Sequence, residues 1–159
     1  MKISKHITIF YIAILGITIG ASVYAGAIAA PIIFNSQTYL GNKILTHYQE
    51  GLIMSENFLR LGYLVTFTVI IVTLYEGFKY KTFNRDAITL IGSFLVICTG
   101  LLFVYYYLPQ ILEFQKEGAV IAQNKIFKNT HVASEFDFKL FTFSLVLLLM
   151  RTLYRVIKS

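Results

Sequence analysis

Hydrophobic and polar positions divide the chain into four long apolar stretches, residues 7–34, 58–75, 87–108 and 136–153, with polar connections between them. A helix needs roughly 20 apolar residues to cross the hydrocarbon, because each adds about 1.5 Å to a core about 30 Å thick. The stretches meet or approach that length, so the pattern predicts an all-α integral membrane four-helix bundle, one membrane domain over residues 1–159. Arg60 and Lys139 stand early in the second and fourth stretches, where long side chains reach back to the interface.

The connections are unequal. One turn, around residues 79–86, is short. Across residues 35–57, Tyr39, Leu40, Ile44, Tyr48 and Leu52 recur near helical spacing while Lys43, His47 and Glu50 fall on another face. That spacing predicts an interfacial helix or an extension of the second span. Across residues 109–135, Pro109 should kink or end the third helix. Ile111, Leu112, Phe114, Val120, Ile121, Ile126 and Phe127 make this segment too apolar for a disordered loop. Helical outer segments, lying against the membrane face or capping the bundle, are therefore expected.

Composition agrees, with 57% hydrophobic and 14% charged residues where a soluble domain carries about a quarter charged. Tyr and Phe recur near the ends of the apolar runs, at the depth that suits amphipathic rings. A net charge of +6 would fit a nucleic-acid binder, but the basic residues flank the apolar runs instead of forming a stripe. The lipid bilayer, and no nucleic acid, is the expected partner.

The same charges orient the chain. Lys2, Lys5, Lys79, Lys81, Arg85, Arg151, Arg155 and Lys158 lie on one side with the acids Glu76 and Asp86. The other side carries Lys43, Arg60, Lys116, Lys125, Lys128 and Lys139 against six acids. The positive-inside rule then predicts both termini in the cytoplasm of a bacterial inner membrane protein. A basic start, an apolar middle and Ala25-Gly26-Ala27 also fit a cleaved signal peptide, but the apolar run continues to Phe34 and favours a retained span.

Candidate chemistry is sparse. The first span carries small residues at helical spacing, Gly16 and Gly20, then Ser22, Gly26 and Ala30. Such spacing lets membrane helices approach closely, within the chain as the plain expectation, or with a homo-oligomer or another membrane protein. His47 and His131 share the outer side with Glu50, Glu56, Glu113, Glu117 and Glu135, and His131 and Glu135 share one helical face. No HExxH or CxxC accompanies them, so a metal role stays open. No histidine lies inside an apolar run to ligate haem, and no ionisable residue occupies the middle of a span as a proton relay would require. Cys98 is the one cysteine. No nucleophile constellation or phosphate loop is present, Ser55 and Ser134 fitting capping or packing roles, so neither a catalytic residue nor a cofactor is expected.

Two local patterns add to this. Gly51-Leu52-Ile53-Met54-Ser55-Glu56-Asn57-Phe58, preceded by Pro31-Ile32-Ile33-Phe34, is similar to a Gly-x-x-x-Ser-x-x-Phe motif at the start of a second span. Phe127-Lys128-Asn129-Thr130-His131-Val132-Ala133-Ser134 resembles a Phe-x-x-x-His-x-x-Ser motif before a last span. With the span layout, they resemble the family that includes eukaryotic transmembrane protein 205 and bacterial relatives carrying a domain of unknown function. Eukaryotic members have Trp in the first span, and this chain has none. The resemblance implies a four-helix membrane bundle of largely unassigned role, with a proposed link to metal and platinum-drug handling in the eukaryotic branch. It carries over Gly51, Ser55, Phe58, His131 and Ser134 as an outer-face cluster.

Within that cluster, Gly51 and Ser55 would give the second span a small face on which His131 and Ser134 dock and hydrogen-bond. A non-enzymatic accessory or interaction module is the leading expectation. A small transporter or permeability factor for a metal ion or small solute is the alternative, and an enzyme built on a bound lipid or quinone comes third.

Overall fold

The computed structural model describes residues 4–82, 86–120 and 124–158, so Lys2, Arg85 and Ile121 of the sequence argument lie outside the described residues. Among the described residues five α-helical elements follow in order: α1 (Lys5–Phe34), α2 (Ser36–Leu40), α3 (His47–Lys81), α4 (Ala87–Lys116) and α5 (Lys125–Lys158). Four of them are long and apolar enough to cross a membrane. Their outward faces carry large apolar side chains, among them Ile17, Ile70, Phe94 and Phe143, which only a lipid surround satisfies. The chain is a multi-pass membrane protein.

Helix ends follow local chemistry. Thr46 opens α3 through a reciprocal cap, its hydroxyl accepting from the Gln49 N–H at 3.3 Å while Gln49 Oε1 accepts from the Thr46 N–H at 2.8 Å. Gly41, at φ +72°, ends α2 in the left-handed region that glycine adopts without strain. Asp86 caps α4 by accepting from the Thr89 N–H at 3.0 Å.

The spans alternate around a square in which α1 packs on α3 and α5, and α4 packs on the same two helices. The outer segments are mostly prolongations of these spans: α3 begins at His47, α4 runs to Lys116, and α5 begins at Lys125. Pro109 does not end α4, which runs on to Lys116, so of the expected kink or end the end is corrected. Both prolines, Pro31 and Pro109, follow a π turn, Tyr24–Ala29 in α1 and Phe103–Tyr107 in α4. A proline ring presses on the carbonyl four residues back, here Ala27 and Tyr105, each inside a π turn. The wider coil there gives the ring room, and the helix continues.

The half of the bundle nearer Lys5 and Arg151 is tightly filled. Tyr11, Leu15, Val72, Val96, Leu145 and Leu148 are buried together. Tyr11 and Tyr75 stack with ring centroids 3.9 Å apart, and Thr18 and Thr68 share a buried hydroxyl bond of 2.7 Å. Glu76 and Lys79 pair at 3.0 Å, and Arg151 grips Asp86 with two hydrogen bonds of 2.7 and 3.0 Å. We call this the basic end.

Candidate functional site

At the opposite end the helices part. Before its π turn α1 packs on α3 and α5; beyond it, the residues Ala30–Phe34 pack on α3. The space left between α1, α3, α4 and α5 is a cavity of about 1080 Å³. Small-molecule pockets run to roughly 1,000 Å³, so this space is of the size that takes a whole ligand. Both π turns contribute to its wall, through Gly26 and Ala27 in α1 and Phe103 in α4.

Phe58, Phe103 and Phe138 form the floor, with ring centroids 4.9 to 5.7 Å apart, and join the cavity to the buried core below. Met54, Leu108 and Ile111 continue the apolar wall. The side between α1 and α5 is lined by the exposed residues Val23, Ala27, Val132, Phe143 and Val146, with the exposed Glu135–Lys139 pair beside them, so the cavity opens laterally through a mostly apolar mouth.

The rim is polar. Tyr48 donates its hydroxyl to the Gln115 carbonyl at 2.5 Å, and Gln115 Nε2 donates to Ser55 Oγ at 2.9 Å. Gly51 belongs to this clasp, since a Cβ there would sit 3.7 Å from Gln115 Nε2. The clasp ties α3 to α4, which corrects the expectation that His131 and Ser134 dock on Gly51 and Ser55. Ser134 instead donates to the His131 carbonyl at 2.7 Å within its own helix, as serines in membrane helices often do. His131 Nδ1 lies 3.4 Å from Glu135 Oε1, and Lys139 Nζ lies 3.4 Å from Glu135 Oε2.

All five residues of the expected outer cluster, Gly51, Ser55, Phe58, His131 and Ser134, thus line one cavity from opposing helices. So do Ser22, Gly26 and Ala30 of the first span. Gly16 and Gly20 do not. A Cβ at either would meet nothing within 4 Å, because Tyr11, Leu15, Thr18 and Ser22 mark the inward face of α1 and the two glycines lie away from it. Close packing within the chain is corrected for this pair.

Two buried polar atoms on the cavity wall lack a hydrogen-bond partner, Ser22 Oγ and Gln115 Oε1, on residues 2% and 8% exposed. Buried polar groups are normally satisfied, and a ligand is one means of satisfying them. His47 pairs with Glu50 at 3.4 Å, while Glu56 and Glu113 bind Arg60 and Lys116 on their own helices. Among the described residues no three His, Cys, Asp or Glu side chains gather closely enough to hold a metal ion.

Residues 13–120 match the family described as a domain of unknown function, DUF4149. The chain belongs to the DUF4149 family. The DUF4149 match takes in the cavity walls supplied by α1, α3 and α4, with Ser22, Gly51, Ser55, Phe58 and Gln115, and ends before Lys128, His131 and Ser134 of α5. No curated protein and no solved structure matches the chain. Gln115 was missed by sequence reasoning although a signal exists: it continues the helical face of Leu108 and Ile111, as a polar residue on an otherwise apolar stripe.

Proposed function

We propose that this DUF4149 protein is a non-enzymatic membrane module that holds an amphipathic small molecule drawn from the bilayer. The observation that supports this best is a cavity with apolar walls, a polar rim, two unpartnered buried polar atoms and a mouth toward lipid. Concave, mostly apolar sites with a few placed polar groups are the ordinary form of small-molecule sites. The excess of Lys and Arg at the basic end supports placing both termini in the cytoplasm, with the cavity near the outer face of a bacterial inner membrane. The motifs ending at Phe58 and Ser134 support a finer kinship with transmembrane protein 205-like proteins.

Gly26→Leu tests the reading. A Cβ at Gly26 would meet only Phe138 Cε1, at 3.8 Å, so the remaining leucine atoms would extend into the cavity without breaking the packing. Native mass spectrometry of the full chain should find an amphipathic species retained by the wild type and lost from the folded variant. Equal retention by both would end the proposal.

The cavity's size also favours a second reading, a small transporter or permeability factor for a small solute. A metal cargo draws no support from the scattered His and Glu pairs. Gly16 and Gly20, open to the outside of α1, favour an additional role in contacting a second copy or another membrane protein. Loss of crosslinked dimers in Gly20→Leu would support that contact, and unchanged crosslinking would exclude it.

A further inference from the structure

We infer that the occupant of the cavity is a lipid with an acidic headgroup, held by Lys128 and His131 at the start of α5, with its apolar body reaching the membrane between α1 and α5. This rests on reading the cavity as a ligand site and adds the chemical class of the ligand.

The cavity lining is net basic. Among the residues that line the cavity, Lys128, Lys139, His47 and His131 can carry positive charge, and Glu135 is the one acid. That acid is already engaged from both sides, by His131 and by Lys139. Lys128 has no acidic partner among the described residues, unlike the neighbouring cations Arg60, Lys116 and Lys139, each paired with an acid on its own helix. Lys128 and His131 stand three residues apart and so share one face of α5. An anion at this rim gains charge-assisted hydrogen bonds from both.

Apolar geometry supplies the rest. Below the rim lie the rings of Phe58, Phe103 and Phe138, and beside it runs an exposed mouth between Val23 and Ala27 of α1 and Val132 and Val146 of α5, apolar except for the Lys139–Glu135 pair. A free anion would have no use for this wall, and a lipid without charge would have none for Lys128. An amphiphile with one acidic end answers both. The opening toward hydrocarbon lets such a molecule enter sideways, its chain never leaving the membrane.

The experiment uses the full chain in phosphatidylcholine nanodiscs, with a fluorescent fatty acid displaced by oleate, oleoyl lysophosphatidate, oleyl alcohol or inorganic phosphate. Oleate and lysophosphatidate should compete at least about tenfold better than oleyl alcohol, the range expected of a hydrogen bond to a charged group. The tighter of the two identifies carboxylate or phosphate as the headgroup. Lys128→Gln combined with His131→Gln should close the gap and leave oleyl alcohol unchanged.

Oleyl alcohol matching oleate, or a gap that survives both substitutions, overturns the acidic headgroup while leaving the cavity intact as a ligand site. Inorganic phosphate competing as well as lysophosphatidate overturns the lipid. Gly26→Leu separates the two levels, because affinities that all survive it remove the cavity reading itself.

Discussion

The two ends of this bundle are made from the same four helices and solve opposite problems. At the basic end, side chains interlock, hydroxyls pair across helices, and acids meet bases, as Thr18 with Thr68 and Asp86 with Arg151 illustrate. At the other end the helices part around about 1080 Å³, and the unpartnered atoms of Ser22 and Gln115 face that space, whereas those of Tyr11 and Ser144 are enclosed in the core. The change occurs at the π turns, where α1 and α4 widen just before their prolines. Burial of apolar surface against lipid gains little, so a membrane bundle holds together by contact density and hydrogen bonds. Where those are withheld, as here, the gap marks a place free to bind.

Two glycines test that contrast most strongly. A Cβ on Gly100 would approach Val69 Cγ2 to 2.6 Å and Phe141 Cε2 to 3.1 Å, well inside ordinary contact. Gly100→Leu should therefore destabilise the bundle by about 1–3 kcal/mol or more, the usual range for overpacking. Gly26→Leu, on the cavity wall, should leave stability unchanged or raised, since leucine is the better helix former. Thermal unfolding in detergent, followed by circular dichroism, compares them directly. Equal losses would mean that the two ends are packed alike.

A smaller effect separates the ends by pH. Hydrogen bonds from Arg151 foremost, and from Thr89, hold the Asp86 carboxyl well below its ordinary value of 3.8. A carboxylate depressed in the folded state stabilises fully above its unfolded pKa, and that contribution is lost as pH falls through the folded value. Asp86→Asn keeps a good helix cap while removing the charge and one of the two oxygens that accept from Arg151. The variant should melt a few degrees below wild type across neutral pH, and the difference should shrink only below about pH 4. A difference that shrinks instead on going from pH 7 to about pH 5 would place the responsible group elsewhere.

The spans were legible because crossing hydrocarbon is a one-dimensional demand: a run of apolar residues of sufficient length, bounded by charge. The cluster residues were legible through two short motifs, and the structure gathers Gly51, Ser55, Phe58, His131 and Ser134 around one space. Their partners were not. Gln115 lies past Pro109, where a regular helix would have ended, and only the π turn carries the coil that far. Nor could the sequence tell which way Gly16 and Gly20 point. In a membrane helix both the lipid face and the packed face are apolar, so periodicity loses the contrast that orients a soluble helix.

The smallest expected effect concerns single hydroxyls on one helix. Thr18 and Ser22 lie one turn apart on the buried face of α1, yet Thr18 bonds Thr68 and the Ile14 carbonyl whereas Ser22 Oγ bonds nothing. A Thr18→Val, Thr68→Val double-mutant cycle should return a coupling of about 0.6 kcal/mol, the average for such bonds in membrane helices. Ser22→Ala should leave stability where it was or raise it, because an unsatisfied buried hydroxyl is removed. If Ser22→Ala instead destabilises the ligand-free protein as much as the Thr18 change does, its hydroxyl is already satisfied within the chain. The wall of the cavity would then be as closed, chemically, as the core beneath it.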